Sequence, residues 1–222
     1  MKYYAIIVAG GFGNRMNSDI PKQFILLKGK PVLMHTIEAF YFSDFKPEII
    51  LVLNTEFRSL WTELCDHHNF KIPCNIAQNG KQRFHSVKNG LELASEHSVV
   101  AVHDGVRPIV SNELITRCFT IASKSGAVIP VITSKDSVRK REGVHTVAMK
   151  REDILLVQTP QVFQYSLLEA AYSQSYSEEF TDDASVVEKL GTEIIITEGD
   201  YKNIKITYAE DLQLAELYFQ KA

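Results

Sequence analysis

The sequence predicts an α/β fold with a mostly parallel sheet. Short apolar runs typical of strands alternate with helical segments over most of the 222 residues. The run at residues 99–102 is continuously apolar, as expected of a strand buried on both faces of a parallel sheet. A glycine-rich segment directly follows the first apolar run, at the end of a strand where open α/β sheets bind ligands. The length suits one domain spanning residues 1–222.

The first half of the chain is predicted to alternate strands with helices. Residues 4–8 form the first strand, because they are apolar and precede a glycine-rich turn. A helix is predicted over residues 30–42, since Pro31 is tolerated in a first turn and apolar side chains follow at helical spacing. The same change of period predicts strands at 49–53, about 75–77 and 99–102, and helices at 56–68 and about 82–95.

Ser111 is expected to cap the next helix, which reaches Ser125. A serine placed before an acidic and then apolar pattern accepts the free N–H groups of a first turn. Residues 127–132 then form another apolar strand, and a helix is predicted from about Tyr165.

The last part of the chain is predicted to hold two helices and one strand. Thr181 is expected to cap a helix. The negative charges of Asp182 and Asp183 are favourable near the N-terminal, positive end of the helix dipole. A strand at 193–197, a short segment at 203–207 and an amphipathic helix at 209–219 follow.

The alternation stops between residues 133 and 156. This segment is charged and alternating, and Gly143 interrupts it, so it predicts a two-stranded hairpin. A hairpin with so few apolar residues has little reason to lie on its own sheet. It either extends into solvent or docks on another surface, and a second copy of the chain is the more specific interpretation.

Composition excludes several classes of function. The net charge is −3, so no global basic field recruits nucleic acid. No apolar run approaches the ~20 residues of a membrane span, and the first residues lead directly into a strand without room for a signal peptide. The three cysteines, Cys65, Cys74 and Cys118, are odd in number and lack a CxxC spacing, which favours free thiols. We expect a cytoplasmic protein.

The glycine-rich segment VAGGFGNRMNSDIPKQF, residues 8–24, predicts an anion-binding turn. Its glycines lack a Cβ, so successive N–H groups can approach a phosphate, and Arg15 and Lys22 add positive charge. A dinucleotide fingerprint would need glycine where Met16 stands, and a P-loop would end in Gly-Lys-Ser/Thr. The motif HDGVRP, residues 103–108, ends a strand and is expected at the same sheet edge.

Six motifs together resemble the 2-C-methyl-D-erythritol 4-phosphate cytidylyltransferases over nearly the whole chain. They are AGGFGNRM with PKQF, NG-x-x-R-x-x-S-V at 79–87, HDGVRP, QTPQVF at 158–163, TDDAS and NIKIT. The resemblance implies a Rossmann-like nucleotidyltransferase fold with a mixed, mostly parallel seven-stranded sheet and a hairpin dimerisation arm at about 133–156. It also implies cytidylyl transfer from CTP to methylerythritol phosphate, with release of pyrophosphate, in non-mevalonate isoprenoid biosynthesis. The ribitol 5-phosphate cytidylyltransferases share most of these motifs and are an alternative. A non-catalytic nucleotide-binding protein is a more distant one.

The implied reaction needs no general base. A phosphate monoester is already mostly a dianion at neutral pH, so the acceptor can attack the α-phosphorus of CTP directly. The difficulty lies in holding two anions together and stabilising charge on their oxygens, which requires cations, N–H groups and Mg²⁺. The clustering of arginine and lysine in these motifs matches that requirement.

The resemblance implies four catalytic residues, Arg15, Lys22, Arg151 and Lys205, of which the first two contact the triphosphate and the last two grip the acceptor phosphate. The implied nucleotide-binding residues are Ala9, Gly10, Gly11, Phe12, Gly13, Gly80, Ser86, Asp104 and Gly105. The implied acceptor-binding residues are Asp104, Arg107, Ser137, Arg151, Thr159 and Lys205. Mg²⁺ is the implied cofactor, held mainly by the phosphates of CTP and by no protein ligand.

The resemblance also implies a homodimer in which the arms are exchanged. Ser137 and Arg151 would then complete the acceptor pocket of the partner subunit. Lys81 stands where the family often has an acidic residue, and Gly105 with Val106 where two alanines are common. These departures leave one base or ribose contact open.

Overall fold

The computed structural model describes residues 1–11 and 20–219. Their helices are α1 (Val32–Tyr41), α2 (Arg58–His67), α3 (Arg83–Leu91), α4 (Asn112–Ser125), α5 (Tyr165–Tyr172), α6 (Asp183–Glu188) and α7 (Ala209–Phe219). Their strands are β1 (Lys2–Val8), β2 (Leu26–Leu27), β3 (Lys30–Pro31), β4 (Glu48–Leu53), β5 (Cys74–Gln78), β6 (Ser98–Asp104), β7 (Ala127–Thr133), β8 (Val138–Glu142), β9 (His145–Met149), β10 (Leu155–Val157), β11 (Gln161–Gln164) and β12 (Ile195–Glu198). None of these helices is both long and apolar enough to cross a membrane.

The main sheet is mixed and mostly parallel, as predicted. In the described chain eight strands form this sheet. From one edge to the other the order is β12, β7, the pair β10 and β11 at one position, β6, β1, β4 and β5. Strands β10 and β11 run one after the other along β7, antiparallel to it, so the eight strands occupy seven positions. Between these two strands, residues 158–160 interrupt the pairing. Strands β6, β1, β4 and β5 are parallel to their neighbours in this set.

Side chains from both faces of the sheet are buried, which explains the continuously apolar strands. Along β1, Ala5 and Ile7 join a core that includes α1 and α4. The alternate side chains, Tyr4 and Ile6, join a second core with α3, α5 and α6. Because successive side chains of a strand point to opposite faces, each face of β1 needs its own helical layer.

Helix α3 ends at Leu91, before the predicted residue 95, and the other helices agree more closely with the sequence pattern. Helix α7 spans residues 209–219 as predicted. Helix α1 begins at Val32, two residues later than predicted, because Pro31 pairs with Leu26 in the short β2–β3 ladder. Ser111 caps α4 as predicted, since its Oγ accepts the Leu114 N–H at 3.2 Å.

The prediction that Thr181 caps α6 is wrong, because Asp182 is the cap. Its carboxylate accepts the Ser185 N–H at 2.9 Å, and the Ser185 hydroxyl accepts the Asp182 N–H at 3.2 Å. This reciprocal capping box satisfies two N–H groups that the first turn leaves free. Asp182 has the extended backbone that a cap requires, which places the helix start at Asp183.

The predicted hairpin is confirmed. Strands β8 and β9 pair with each other, forming a sheet separate from the main one. Their residues are almost all exposed, and Val144 at the turn is 94% exposed. The hairpin therefore contributes little to the core of its own chain.

We expect Ser111→Ala to lower the free energy of unfolding by about 1 kcal/mol, because the first turn of α4 loses its side-chain acceptor. Ser125→Ala is the matched control at the other end of the same helix, where the hydroxyl bonds the Ile121 carbonyl. Urea unfolding of both variants checks this. Equal losses for the two variants would contradict the capping role.

Candidate active site

Two neighbouring cavities lie at the carboxyl ends of the parallel strands. The glycine cavity, of about 340 Å³, is lined by Val8, Gly10, Gly11, Asn79, Gly80, Lys81, Gln82, Arg83 and Ser86. The Asp104 cavity, of about 300 Å³, is lined by Arg83, Asp104, Arg107, Val157, Gln158, Thr159, Gln161, Thr181, Asp182 and Lys205. Arg83 lines both cavities. The sheet register brings them together, because Val8 at the end of β1 pairs with Asp104 at the end of β6.

Three of the residues that line the glycine cavity are glycines, Gly10, Gly11 and Gly80. A Cβ on Gly10 would lie 2.5 Å from the Cβ of Asn79, and one on Gly80 would lie 2.2 Å from the Cβ of His85. No other residue type fits without movement at these two positions. The Gly80 N–H donates to the Ser86 hydroxyl at 3.0 Å, so two of the predicted nucleotide-binding residues are in contact. At Gly10 and Gly80 the cavity therefore presents main chain without side-chain bulk, beside the long side chains of Lys81 and Arg83.

Gln23 fixes the start of the glycine-rich segment. Its buried Nε2 donates to the carbonyl oxygens of Ala9 at 2.9 Å and Gly11 at 3.0 Å. Lys22 precedes it in the same single turn of 3-10 helix, residues Lys22–Phe24, and is half-buried. Sequence reasoning used the PKQF motif for its lysine and missed this glutamine. The signal available was an amide side chain next to a residue assigned to the phosphates.

Asp104 organises the cations of the second cavity. Its Oδ2 lies 3.0 Å from Lys205 Nζ and 3.2 Å from Arg107 Nε, and its Oδ1 lies 3.8 Å from Arg83 Nε. Burial alone raises the pKa of the Asp104 carboxyl, but the charges of Arg83, Lys205 and Arg107 outweigh it and hold that pKa well below its usual value. Asp104 is therefore ionised, and it reduces the repulsion between three cations in a small space.

Arg83 is held by a buried carboxylate that sequence reasoning missed. Its Nη1 and Nη2 donate to the two oxygens of Asp183 at 2.6 Å and 2.7 Å. Burial lowers the pKa of Arg83, but the charge of Asp183 and its hydrogen bonds outweigh this and raise it above its ordinary value. The sequence alone explains Asp183 only as a favourable charge at a helix start. The signals for the pair were the arginine of the NG-x-x-R motif and the second acid of TDDAS.

The backbone that carries Asp104 is fixed by His103 and Thr159. His103 Nε2 lies 3.1 Å from the Arg107 carbonyl oxygen, which can only accept, so this nitrogen carries the proton. In the neutral ring Nδ1 then accepts the Thr159 hydroxyl at 3.0 Å, and that oxygen accepts the Asp104 N–H at 3.2 Å. Thr159 lines the Asp104 cavity, but its hydroxyl is already engaged in the hydrogen bonds to His103 and the Asp104 N–H. Sequence reasoning assigned Thr159 to the acceptor and did not include His103.

The segment that carries Lys205 is irregular and is held by side chains and main chain together. Asn203 Nδ2 donates to the Thr159 carbonyl at 2.7 Å, and Arg107 Nη1 donates to the Asn203 carbonyl at 2.8 Å. The Ile206 N–H donates to the Val106 carbonyl at 2.9 Å. Lys205 remains 41% exposed as a side chain, so its ammonium can contact a ligand.

Several predicted site residues lie away from the two cavities. Ala9 and Gly105 are buried beside them, and the Gly105 N–H donates to the Val8 carbonyl at 2.9 Å. Ser137 and Arg151 lie at the two ends of the hairpin, are exposed, and line neither cavity of their own chain. The calls on the glycine-rich segment that lie outside the described residues are Phe12, Gly13 and Arg15.

The carboxylates of the Asp104 cavity are poorly suited to a divalent cation. Asp104 contacts three cationic side chains, and Asp182 accepts hydrogen bonds from Ser185 N–H and from Gln161 Nε2 at 2.8 Å. The described residues contain no cluster of three or more histidine, cysteine or acidic side chains that could hold a metal ion.

A third cavity, of about 430 Å³, lies between α1, the residues after Arg107 and the end of α7. His35 and Phe219 line it, with ring centroids 4.8 Å apart. It lacks the convergence of charged side chains seen around Asp104, so the chemistry assigns the candidate active site to the other two cavities.

Comparison with known proteins identifies the family of this chain. The model of the 2-C-methyl-D-erythritol 4-phosphate cytidylyltransferase family matches residues 3–221. The chain belongs to this family. Two curated relatives carry the same name: one from Phocaeicola vulgatus is 50% identical over 98% of this chain and 99% of its own length, and one from Bacteroides fragilis is 53% identical over 95% and 96%. The family predicted from six motifs is confirmed, and the ribitol 5-phosphate family is not favoured.

Solved structures of cytidylyltransferases share the fold over nearly the whole chain. The 4-diphosphocytidyl-2C-methyl-D-erythritol synthase from Anaerococcus prevotii superposes with a TM-score of 0.83 at 29% identity, covering 99% of this chain and 96% of that one. The 2-C-methyl-D-erythritol 4-phosphate cytidylyltransferase from Thermus thermophilus gives 0.80 at 30% identity, covering 99% and 100%. The cytidylyltransferase family therefore accounts for the fold as well as for the motifs.

We expect His103 to make this cytidylyltransferase less stable in acid. Burial lowers the pKa of His103 from 6.5 to about 3, so its contribution is complete above pH 6.5 and is lost as the pH falls toward 3. The unfolded chain binds the proton first, which gives a slope of up to about 1.4 kcal/mol per pH unit. In urea unfolding between pH 7 and pH 4, His103→Gln should show a shallower slope than wild type.

The exposed histidine of the hairpin provides the control for this measurement, because His145→Gln should keep the wild-type slope. Slopes rather than absolute stabilities are compared, since a buried substitution at position 103 also loses packing. Identical slopes for wild type and His103→Gln would contradict a neutral His103.

Proposed function

We propose that this chain transfers a cytidylyl group from CTP to 2-C-methyl-D-erythritol 4-phosphate and releases pyrophosphate. The observation that carries the proposal is the pair of cavities that share Arg83, one lined by three glycines among other residues and the other by cations around Asp104. Two adjacent anion sites are what a transfer between two phosphates needs, whereas a nucleotide-binding protein needs one. Membership of the cytidylyltransferase family supports the choice of substrates.

In the proposed reaction the protein positions two anions and stabilises charge. The acceptor phosphate, mostly a dianion at neutral pH, attacks the α-phosphorus of CTP without a general base. The backbone around Gly10 and Gly80 holds the nucleotide. Lys205 and Arg107 hold the acceptor phosphate, which competes with Asp104 for their N–H groups. Lys22 and Arg15 act on the triphosphate, as the family resemblance implies, and fixed cations of this kind stabilise charge on the transferring and leaving oxygens.

We propose Mg²⁺ as the cofactor, with its ligands supplied mainly by the phosphates of CTP. The engagement of Asp104 by three cations and of Asp182 by a helix cap supports this assignment. When bound, Mg²⁺ neutralises phosphate charge. A cytoplasmic location is also proposed, and the three free cysteines support it.

We further propose a homodimer in which each hairpin completes the acceptor site of the other subunit. The hairpin packs little on its own chain, and next to it Leu155, Leu156 and Val157 are each at least 40% exposed. Arg151 and Ser137 line neither cavity of their own chain, which supports a role for them in the site of a partner. Burying these apolar side chains against a second copy would offset the cost of ordering the arm.

Pyrophosphate release tests the activity directly. We expect release with CTP, Mg²⁺ and methylerythritol phosphate, and little with ribitol 5-phosphate. Lys205→Gln should lower kcat by about 100-fold, because one charge-stabilising donor is lost. Lys202→Gln, three residues earlier and outside the Asp104 cavity, should leave it unchanged. Release with ribitol 5-phosphate alone would overturn the proposed acceptor.

Mixing two inactive variants tests the shared site. If arms are exchanged, a heterodimer of Lys22→Ala and Arg151→Ala subunits contains one intact site, so random mixing should restore about a quarter of wild-type activity. Lys22→Ala mixed with Lys205→Gln is the control and should stay inactive, because those residues come from the same subunit. No recovery in the first mixture, with subunit exchange verified by mass, would exclude arm exchange.

A further inference from the structure

We propose that Tyr172 and Asp183 are positioning residues that fix Arg83 as a single contact shared by both substrates. Arg83 is then the residue through which nucleotide and acceptor binding influence each other. This inference rests on the proposed cytidylyl transfer. It concerns three residues that the sequence motifs did not assign to either substrate.

The geometry of the three residues forms a directed chain into the site. The Tyr172 hydroxyl donates to Asp183 Oδ1 at 2.6 Å, and the same oxygen accepts Arg83 Nη1 at 2.6 Å. The second carboxylate oxygen accepts Arg83 Nη2 at 2.7 Å, which completes a bidentate pair. Two parallel hydrogen bonds fix both the position and the plane of a guanidinium. Tyr172 thus orients the carboxylate, and the carboxylate orients the arginine.

Burial separates the two positioning residues from the solvent and from substrate. The Asp183 side chain is fully buried, and Tyr172 is 2% exposed with its ring stacked on Phe84 at 4.7 Å between centroids. Burial and the charge of Asp183 raise the pKa of Tyr172 well above its usual value, so its hydroxyl remains a donor. Without this donor the buried Asp183 carboxylate would keep Arg83 as its remaining strong partner, but its own orientation would be less constrained.

Arg83 differs from Tyr172 and Asp183 because part of its side chain is exposed in the two cavities. Its side chain is 31% exposed, and it lines the glycine cavity as well as the Asp104 cavity. A guanidinium has five N–H donors, of which Asp183 takes two, so others can bind ligand oxygens. Its Nε also lies 3.8 Å from Asp104, the carboxylate that Lys205 and Arg107 contact. A purely structural ion pair would not need to line both cavities.

Positioning by Tyr172 and Asp183 fixes the Arg83 cation between the two proposed anions, the triphosphate of CTP and the acceptor phosphate. A mobile arginine would follow whichever phosphate bound first, whereas one held by Asp183 keeps the geometry for the second. Because misplacement by about 1 Å can cost up to about 100-fold in rate, a hydroxyl outside both cavities can affect catalysis.

The test is a mutant cycle on Tyr172 with steady-state kinetics for both substrates. Tyr172→Phe keeps the ring and removes the hydroxyl, and we expect kcat/KM to fall by roughly 10-fold for CTP and for methylerythritol phosphate alike. The same change is then made in a background carrying Arg83→Gln with Asp183→Asn, which removes both charges together. There Tyr172→Phe should have no further effect, since residues that act through one another are not additive.

Tyr4→Phe is the matched control for loss of a buried tyrosine hydroxyl. Tyr4 belongs to the same core as Tyr172, is 3% exposed, and has its hydroxyl 3.0 Å from Ser95 Oγ, away from both cavities. Its kinetics should match wild type, and thermal unfolding of both variants checks that they are folded. If the neutral background does not fold, Arg83→Lys, which keeps the charge but loses the bidentate pair, serves as the second background.

Each outcome decides between defined alternatives. Tyr172→Phe kinetics equal to those of Tyr4→Phe, or an equal loss in both backgrounds, would overturn the positioning role. A change in the parameters of only one substrate would overturn the shared contact. An inactive wild-type protein would instead refute the proposed cytidylyl transfer, because it fails before any variant is compared.

Discussion

One carboxylate, that of Asp104, allows three cations to occupy the same small cavity. Arg107 and Lys205 lie within 3.2 Å of its oxygens, and Arg83 lies at 3.8 Å. Without it these like charges would repel one another in a partly buried space, where water screens them poorly. In the proposed reaction these cations are therefore in place before the acceptor phosphate arrives. Preorganised charge of this kind costs little rearrangement at the moment of reaction.

The fold places that carboxylate by simple means. Strands β1 and β6 are parallel neighbours, and their last paired residues are Val8 and Asp104. Two loops that are almost a hundred residues apart in sequence therefore begin side by side. Helices on both faces bury the strands, so the register is fixed by the cores rather than by the loops. The loops are free to carry glycine, charge and irregular backbone that a strand would not tolerate.

The sequence predicted most of the strands and helices, because the patterns that identify each of them lie within a single segment. Apolar period identified the strands and helices, and a serine before an acidic turn identified the start of α4. Thr181 was mistaken for a cap because three consecutive polar residues suit that role, and backbone conformation selects among them. The hairpin followed from its charge and alternation. The contributions of Ser137 and Arg151 to a partner's site stay predictions.

The missed residues share a different cause. Arg83 and Asp183 are a hundred residues apart, and Asp183 has an ordinary local explanation as a favourable charge at a helix start. Gln23 and His103 act on main-chain carbonyls, which a sequence pattern does not display. Such contacts depend on which segments the fold brings together. The motifs contained the residues, but their partners could be assigned only in three dimensions.

The break between β10 and β11 has a consequence for how this active site can change. The Gln158 N–H still donates to the Pro130 carbonyl of β7 at 2.9 Å, while its side chain binds the main chain of Asp200. Thr159 instead joins the hydrogen bonds to His103 and Asp104. Sheet pairing constrains the residues on either side, whereas hydrogen bonds to Asp200, His103 and Asp104 constrain those within the break. A change at residue 158 or 159 would therefore alter the support of Asp104 and of the Asp200 segment while the sheet keeps its register.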